Sequence, residues 1–300
     1  MYYLKFIHTF KPFTIFFKSP FFIYVIIFKI LLLFLFSSQY SSELFYPFLN
    51  SLSLENLNPW QFHYERNLID SFPYHGLMLL LLTPFALLGE LLGIGEALIK
   101  VPLLTADLGI LFVLLKLFPY KEKKIIFFYF LNPIVLYGTY IHSQLDIIPT
   151  ALLFIAIYFL TLQKFRTSSF FFGFALATKL HVVIALPLVL FYLYKKFQLN
   201  LAIKYFFMSL FVLVAFDLPF VFSEGFTHMV LLNPKQALLF NTFYSIGTVK
   251  LLLPIASILI VYFHFFNQNK VNFDLLFFYF GLLFTATIFF IYPGPAWYIW

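Results

Sequence analysis

The sequence predicts an all-α, polytopic transmembrane helical bundle, and three observations lead to that prediction. The 300 residues are 63% hydrophobic and 10% charged, which leaves too few charges to cover a water-soluble surface. Apolar runs near 20 residues, about the length that crosses a bilayer, recur along the chain. The 19 basic residues cluster in short segments between those runs, as in proteins oriented by their cytoplasmic charges. Membrane orientation therefore explains the net charge of +7, and we expect no nucleic acid partner.

Missing residues and motifs limit the chemistry. With 0 Cys the chain cannot hold a disulfide scaffold, a thiolate nucleophile, cysteine-ligated zinc or an iron–sulfur cluster. It also lacks a glycine-rich phosphate loop, a nucleophile elbow and an HExxH motif, which disfavours a nucleotide-driven pump or a zinc protease. No cofactor follows from the residues. The open alternative is a divalent metal ion held by Asp146 with a nearby acid.

Nine apolar runs are candidate crossing segments. They are 20–37, 77–94, 99–118, 125–141, 147–163, 169–194, 201–222, 246–266 and 274–292. Lys5, Lys11 and Lys18 precede the first run and no small-x-small cleavage site follows it, so it is predicted to be an uncleaved transmembrane helix. The N-terminus is therefore expected in the cytoplasm.

The run 77–94 would reverse the sidedness of the later charge clusters. If it crossed fully, the basic clusters from Lys121 onward would lie outside, whereas a re-entrant or interfacial helix keeps them in the cytoplasm. Pro84 and Gly89 in this run favour a path buried in protein or facing water. We expect residues 38–98 to form the first extracytoplasmic loop, with interfacial and re-entrant helices, inside a single transmembrane domain over 1–300.

The run 169–194 has a polar centre. It lies between two basic clusters and carries Lys179 and His181 at its middle, so it is predicted to be two short helices that meet near the outer side. Under this layout 13 of the 19 basic residues are cytoplasmic and nine of the 12 acidic residues lie outside. An outer face this rich in carboxylates indicates a function beyond anchoring.

Two groups of outer polar residues have a functional and a purely structural interpretation. Glu43 follows the first helix, where a carboxylate either faces a cavity mouth or marks a helix end. Gln144 and Asp146 follow the kink expected at Asn132-Pro133, and they either bind a sugar or acceptor or cap the next helix.

The remaining candidates are a lysine in an apolar run and three residues elsewhere in the chain. Lys179 lies in an apolar stretch and needs an anionic partner or a water-filled site, where it could hold a phosphate; the alternative is a lysine that reaches the interface along its own stem. Asp70 leads into the run 77–94. Trp297 and Tyr298 either belong to an interfacial aromatic belt or stack on a sugar ring.

In their order along the chain, these motifs resemble the GT-C glycosyltransferases, and more narrowly the bacterial and archaeal branch related to the GPI mannosyltransferases. The resemblance covers about residues 40–300. The motifs that carry it are the acid after the first helix, Asn58-Pro59-Trp60, Phe72-Pro73-Tyr74, Asn132-Pro133, Gln144-Leu145-Asp146, Ala177-Thr178-Lys179 and the final Pro295-Ala296-Trp297-Tyr298-Ile299-Trp300.

The resemblance implies transfer of a sugar from a polyprenyl-phosphate donor to a glycan or glycolipid acceptor, with inversion, on the extracytoplasmic side of the membrane. It implies Glu43 as catalytic base and Lys179 as phosphate partner assisted by His181. Gln144 and Asp146 would bind sugar or acceptor, with Asp70, Trp297 and Tyr298 as further contacts, and membrane lipids would surround the protein. Most relatives have Asp at the position of Glu43, often in an acid pair, whereas Ser41 and Ser42 precede it here.

Two other functions fit the same residues. One is a non-catalytic membrane subunit that binds a lipid-linked glycan, as the GT-C-like component of the GPI transamidase does. The other is a small-molecule transporter in which Asp107, Asp217 and Lys179 form a relay. Because relatives continue with further helices, the resemblance also implies a chain truncated at Trp300, which could leave the enzyme inactive. The alternative is a naturally short protein that ends in its aromatic belt.

Overall fold

The computed structural model describes residues 20–53, 56–234, 238–291 and 299. This part of the chain is nearly all helical, as predicted, and carries one antiparallel hairpin. The helices are α1 (Pro20–Leu35), α2 (Tyr40–Asn50), α3 (Pro59–Tyr64), α4 (Gly76–Leu92), α5 (Gly95–Leu117), α6 (Glu122–Phe130), α7 (Pro133–Ile141), α8 (Ile147–Thr161), α9 (Phe165–Thr178), α10 (Leu186–Lys196), α11 (Leu199–Asp217), α12 (224–231), α13 (Leu238–Asn241), α14 (Leu253–Phe266) and α15 (Phe273–Phe290). The strands are β1 (Phe243–Ile246) and β2 (Val249–Leu252).

Several of these helices could cross a membrane. Among the described residues, α5, α11 and α15 are long and apolar enough, and two more spans arise if each bent pair is one span. The bent pairs are α1 with α2, at 62°, and α6 with α7, at 49°. Phe207 on α11 and Phe278 on α15 are 62% and 63% exposed, which suits a surface that faces lipid. The described part of the chain thus has three to five candidate spans by length and composition.

Two apolar runs are interrupted where the sequence predicts a break. In the run 125–141, α6 stops before Asn132, whose side-chain oxygen accepts a hydrogen bond from the backbone N–H of Ile134 at 2.9 Å and caps α7. In the run 169–194, α9 ends at Thr178, Lys179 is extended, and a 3₁₀ turn over Leu180–Ala185 leads into α10. The prediction of two short helices there is confirmed.

The run 246–266 is not the single helix that was predicted. Its first residues form β2, which pairs with β1 in the register Ile246↔Val249, and α14 begins only at Leu253. Gly247 adopts φ +61°, a left-handed conformation that glycine accepts at little cost, and this permits the tight turn. Pro254 in the first turn of α14 is compatible with a helix start and not with a helix interior.

The run 77–94 forms α4, an apolar helix of 17 residues with Pro84 inside it. Gly93 ends the helix in the left-handed conformation, and the chain enters α5 two residues later. At 17 residues α4 is among the shorter apolar helices, together with α8 and α14. Its re-entrant path and the sidedness of the loops stay predictions.

Two large clusters of buried side chains meet along α8. One cluster joins α8 to α9, α10, α11, α14 and α15, and includes Leu153, Phe172 and Leu283. The other joins the start of α8 to α2, α3, α4, α5 and α12, and includes Phe48 and Trp60. The beginning of α8 therefore lies between two packed regions, and the polar residues around it have little freedom to move.

Candidate functional site

A buried ion pair between Lys179 and Asp146 is the centre of the candidate site. The Lys179 ammonium donates to Asp146 Oδ1 at 2.5 Å, and the two side chains are 11% and 0% exposed. Lys179 follows the last residue of α9 with φ −157° and ψ 127°, so its side chain leaves the helical path. This backbone break is what directs the ammonium towards the start of α8.

The pairing excludes the two structural interpretations of these residues. Asp146 occupies the N-cap position of α8, but its side chain makes no capping hydrogen bond. Lys179 is 9% exposed, so its ammonium is paired inside the protein and does not reach along its stem to solvent. A charge in such a place needs a partner of opposite sign, and each residue provides it for the other.

The residues that precede Asp146 present buried polar atoms that the protein itself does not bond. Among the described residues, no hydrogen-bond partner exists for Thr139 Oγ1, His142 Nδ1, Ser143 Oγ, Gln144 Oε1 or Asp146 Oδ2. An unbonded buried polar atom costs about 1–3 kcal/mol, so several of them within eight residues are typical of a site that a polar ligand or water completes.

The backbone of the same segment is irregular. Helix α7 ends in a π-helical turn over Tyr137–Ile141, and Ser143 has φ +59°, which costs free energy for a residue other than glycine. The N–H of Gln144 nonetheless finds the carbonyl of Gly138 at 2.9 Å. Strain of this kind is concentrated at functional sites, because the surrounding packing must stabilise it.

A second acid–base pair lies next to Lys179. His75 Nδ1 contacts Asp217 Oδ2 at 2.6 Å, and Asp217 Oδ1 accepts from the backbone N–H of Gly76 at 3.0 Å. The backbone N–H of His75 donates to the carbonyl of Thr178 at 3.2 Å, the residue before Lys179. An ionised Asp217 can only accept, so it places the proton on Nδ1 of His75 and leaves Nε2 as a potential base. His75 Nε2 is buried with no partner among the described residues.

Tyr74, the residue before His75, contacts the Lys179 ammonium at the site centre. Its ring centroid lies 5.4 Å from Lys179 Nζ, and its ring packs edge-on against Phe45 at 5.7 Å. Burial, reinforced by the nearby Asp146 carboxylate, holds the pKa of Tyr74 well above its usual value. The phenol therefore stays protonated at neutral pH.

An apolar groove of about 170 Å³ lies between α8, the 3₁₀ turn after Lys179 and α15. Thr150 and His181 are the polar residues of its lining, and the rest is apolar, including the rings of Phe277, Phe280 and Phe284. The Thr150 hydroxyl donates to the backbone carbonyl of Asp146 at 2.8 Å, and His181 follows Lys179 by two residues. The lining of the groove is thus mostly hydrocarbon, and its polar residues Thr150 and His181 are close in sequence to Asp146 and Lys179.

Glu43 is not part of the buried polar centre. It is exposed, and it accepts a hydrogen bond from Gln39 at 2.9 Å. Its helix nevertheless contacts the site on two sides, because Tyr40 lies against His142 at 4.8 Å between ring centroids and Phe45 lies against Tyr74. Glu43 therefore lies on an element that borders the site, with its carboxylate towards the surface.

The other predicted site residues lie further out or outside the described residues. Asp70 is exposed in the turn that precedes Tyr74 by four residues. Trp297 and Tyr298, and the end of the chain at Trp300, fall outside the described residues.

A buried cluster around Lys29 escaped the sequence analysis. Lys29 donates to Asp107 Oδ2 at 2.5 Å with both side chains 0% exposed, and the Asp107 carboxylate also accepts from Tyr129 at 2.8 Å and Tyr140 at 2.5 Å. The Lys29 ammonium lies 3.6 Å from the centroid of the Phe130 ring. The missed signal was a lysine in the middle of an apolar run, which requires a partner by the same argument as Lys179.

Glu96 and Lys100 form hydrogen bonds at and just before the start of α2, the helix that carries Glu43. Glu96 accepts hydrogen bonds from Ser37 at 2.7 Å and from Ser41 at 2.6 Å, and lies 3.6 Å from the Lys100 ammonium. Lys100 also donates to the carbonyl of Phe36 at 2.5 Å, beyond the end of α1. The serine at position 41 thus bonds to an acid supplied by another helix.

The described residues contain no group of three or more His, Cys, Asp or Glu side chains placed to hold a metal ion. Comparison with protein-family models, with curated proteins and with solved structures found no match. The geometry of the site is therefore the basis for its functional interpretation.

Proposed function

We propose that this chain is an integral membrane glycosyltransferase that transfers a sugar, with inversion, from a polyprenyl-phosphate donor to a hydroxyl of a glycan or glycolipid acceptor. The observation that carries the proposal is the buried Lys179–Asp146 pair, together with an apolar groove lined by His181 and by Thr150, whose hydroxyl donates to the Asp146 backbone carbonyl. A lipid-linked sugar phosphate joins the same two chemical features, an anionic phosphate and a long hydrocarbon chain.

The proposed reaction is a single displacement at the anomeric carbon. The acceptor oxygen forms a bond to that carbon while the bond from the carbon to the phosphate oxygen breaks. The electron pair of the broken bond leaves with the phosphate, and the acceptor proton passes to a base on the protein. The products are the glycosylated acceptor and the polyprenyl phosphate.

Lys179 would stabilise the charge that develops on the departing phosphate. An ammonium has three donors, and Asp146 takes one of them at 2.5 Å, which fixes the orientation of the group before the donor binds. Preorganised positive charge in a buried site stabilises a developing oxyanion more than the same charge in water does. Gln144 and the second carboxylate oxygen of Asp146 would accept hydrogen bonds from sugar hydroxyls.

Two residues are candidates for the base. Glu43, proposed from the resemblance, is a carboxylate on the helix that borders the site, and its exposure requires the acceptor to approach from the surface. His75 offers a buried imidazole oriented by Asp217 at 2.6 Å, an arrangement that suits general base catalysis. Removing a general base typically slows transfer by about 100-fold to 10,000-fold.

The test is transfer of radiolabelled sugar in membranes that contain the chain, with a panel of polyprenyl-phosphate hexoses as donors. We expect Lys179→Met to lose transfer. One of the two variants Glu43→Gln and His75→Asn should show a transfer rate lower by about 100-fold or more. The residue whose replacement lowers the rate is the base. Glu65→Gln, which removes an exposed acid from the same loop, is the matched control. If the unmodified chain transfers no sugar from any of the donors, the proposal is wrong.

The proposed position of the site on the extracytoplasmic side of the membrane needs a separate measurement. The chain has 0 Cys, so single cysteines can be introduced at exposed positions without background. An impermeant thiol reagent should label Lys123→Cys from the cytoplasmic side and Arg66→Cys from the opposite side. Labelling of both from one side would contradict the extracytoplasmic position of the site.

The second candidate function is a non-catalytic subunit that binds a lipid-linked glycan. The surface position of Glu43, with Gln39 as its partner at 2.9 Å, favours this candidate, because a catalytic base is usually close to the reacting atoms. Binding of the lipid-linked sugar without transfer would support it. The transporter relay finds less support, because Asp107, Asp217 and Lys179 each pair with a different residue.

A further inference from the structure

We propose a second binding site, at the opposite end of α10 from Lys179, that binds the phosphate-bearing headgroup of an anionic membrane lipid. It is an open pocket of about 610 Å³. Its lining residues are Lys195, Lys196, Gln268, Asn269, Lys270 and Val271. This proposal is independent of any transferase activity.

The charge of the pocket is positive. Three of its six lining residues are lysines and none is acidic. Asp274, in the first turn of α15, is the acid nearest in sequence and does not line the pocket. Two amide side chains add hydrogen-bond donors, so the lining matches a phosphate, which takes up both charge and several hydrogen bonds.

The three lysines have different tasks. Lys195 donates to the backbone carbonyls of Phe266 and Gln268, so it neutralises the C-terminal end of α14 and fixes the loop that forms one wall. Lys196 lies near the Tyr192 hydroxyl, at 3.0 Å, and is exposed. Lys270 is exposed in the loop that Lys195 fixes. Lys196 and Lys270 therefore supply the charge that a ligand would meet.

The pocket lies where two candidate spans begin. The span Leu199–Asp217 starts three residues after Lys196, and the span Phe273–Phe290 starts three residues after Lys270. Because the pocket brings both starts together, it lies at the boundary between hydrocarbon and water. Basic pockets between transmembrane helices at this depth are typical binding places for anionic headgroups.

Apolar side chains beside the pocket suit the rest of a lipid. Leu199 and Phe266 are 57% and 43% exposed, and Phe263, one turn before Phe266, is 72% exposed. Acyl chains of a lipid held by its headgroup would cover these side chains. A free phosphate ion would leave them uncovered, which favours the lipid over a soluble anion.

Helix dipoles do not determine the sign of the pocket. Helices α10 and α14 end there and α11 and α15 begin there, so two partly negative and two partly positive termini offset one another. The lysine ammonium groups are therefore the main source of the positive electrostatic potential in the pocket. Binding should therefore depend on Lys196 and Lys270 and should weaken with salt.

The experiment measures lipid binding to the purified full chain in neutral detergent, by native mass spectrometry and by thermal unfolding. The probes are phosphatidylglycerol, phosphatidylcholine and inorganic phosphate. We expect phosphatidylglycerol to bind and to raise the unfolding temperature, and phosphatidylcholine to do neither. The double variant Lys196→Gln with Lys270→Gln should bind phosphatidylglycerol about 30-fold more weakly, since each lysine near a membrane surface contributes a factor of about five.

The control removes the same charge elsewhere. Lys121→Gln with Lys123→Gln changes two exposed lysines outside the pocket and should bind as the unmodified chain does. Equal phosphatidylglycerol binding by the pocket variant and the unmodified chain would overturn the proposal. Displacement of the lipid by millimolar inorganic phosphate would overturn its lipid part, because the pocket would then bind free anions as well. Unfolding temperatures without lipid establish that the pocket variant folds.

Discussion

Lys179 Nζ and Asp146 Oδ1 lie 2.5 Å apart although 33 positions separate the two residues. The contact joins the beginning of α8 to the end of α9, two helices that also pack along their length. Both side chains are withdrawn from solvent, so neither charge is stable there without the other. The pair is thus at once a structural requirement of the α8–α9 hairpin and the charged centre of the candidate site.

Replacing one partner of that pair should destabilise the protein more than replacing both. Asp146→Asn leaves the Lys179 ammonium buried without its counter-charge, which costs about 3–5 kcal/mol of unfolding free energy. The double change Asp146→Leu with Lys179→Met removes both charges and should recover most of that loss while sugar transfer stays absent. Denaturant unfolding in detergent measures the first effect and the transfer assay the second. A stable Asp146→Asn variant would contradict the pairing.

The cluster around Asp107 should show a graded response. Lys29→Met removes the counter-charge and should cost about 3–5 kcal/mol. Tyr140→Phe removes one hydrogen bond to the carboxylate, which accepts it at 2.5 Å, and should cost about 1.5–3 kcal/mol. Unfolding of the two variants side by side gives the ranking. Equal losses for both would show that the ammonium contributes no more than the phenol does.

Acidification should weaken the segment that contains His63. Burial, with a smaller contribution from the Arg66 charge, lowers the pKa of His63 to about 4. The unfolded chain binds a proton near its ordinary pKa of about 6.5, before the folded protein does, so stability falls as the pH drops from about 6.5 to about 4. The ring lies 4.9 Å from the Phe48 ring, and Nδ1 lies 3.1 Å from the Ser71 hydroxyl.

The His63→Phe variant keeps the ring contact and cannot titrate. Its unfolding temperature should therefore depend less on pH between about 6.5 and 4 than that of the unmodified chain. Parallel melting curves at four pH values measure the difference. Identical pH dependence in both proteins would show that His63 titrates normally in the folded state.

Gly173 should not tolerate a side chain. A Cβ atom there would lie 2.6 Å from Val212 Cβ and 2.8 Å from the Ser209 carbonyl oxygen, because α9 packs closely on α11. Gly173→Ala should destabilise by about 1–3 kcal/mol through overpacking. Gly109 meets nothing within 4 Å, so Gly109→Ala should be neutral or stabilising by up to about 1 kcal/mol. Reversal of this order would contradict the α9–α11 contact.

Most helices could be predicted because their signals are local. Apolar composition predicts the helices themselves. Pro133 after a capping asparagine predicts a helix start, and the lysine in the middle of the run 169–194 predicts a helix break. The hairpin over 243–252 was missed because its apolar residues, read by hydropathy alone, look like the start of a membrane helix. Gly247 and Pro254 were local signals of a different structure that hydropathy does not weigh.

The candidate site could be predicted only in part. Lys179 was recognised as a charge in an apolar stretch, and Gln144 and Asp146 as outer polar residues after the kink at Asn132-Pro133; Lys179 and Asp146 form the central pair. Lys29, and the orientation of His75 by Asp217, were not recognised, because each depends on a residue from a distant helix. Glu43 was predicted as the base from the resemblance. Because its carboxylate lies at the surface, the transfer assay has to decide whether Glu43 is the base.

The sequence alone determined that the chain is mostly helical, that several apolar segments are suited to cross a membrane, and that buried charges need partners, since composition and hydropathy follow directly from residue types. Only the tertiary structure decided which charges pair, because Lys29 finds Asp107 across 78 positions and His75 finds Asp217 across 142. In a medium of low polarity any charge must be compensated, but the identity of the compensating group depends on which helices pack together.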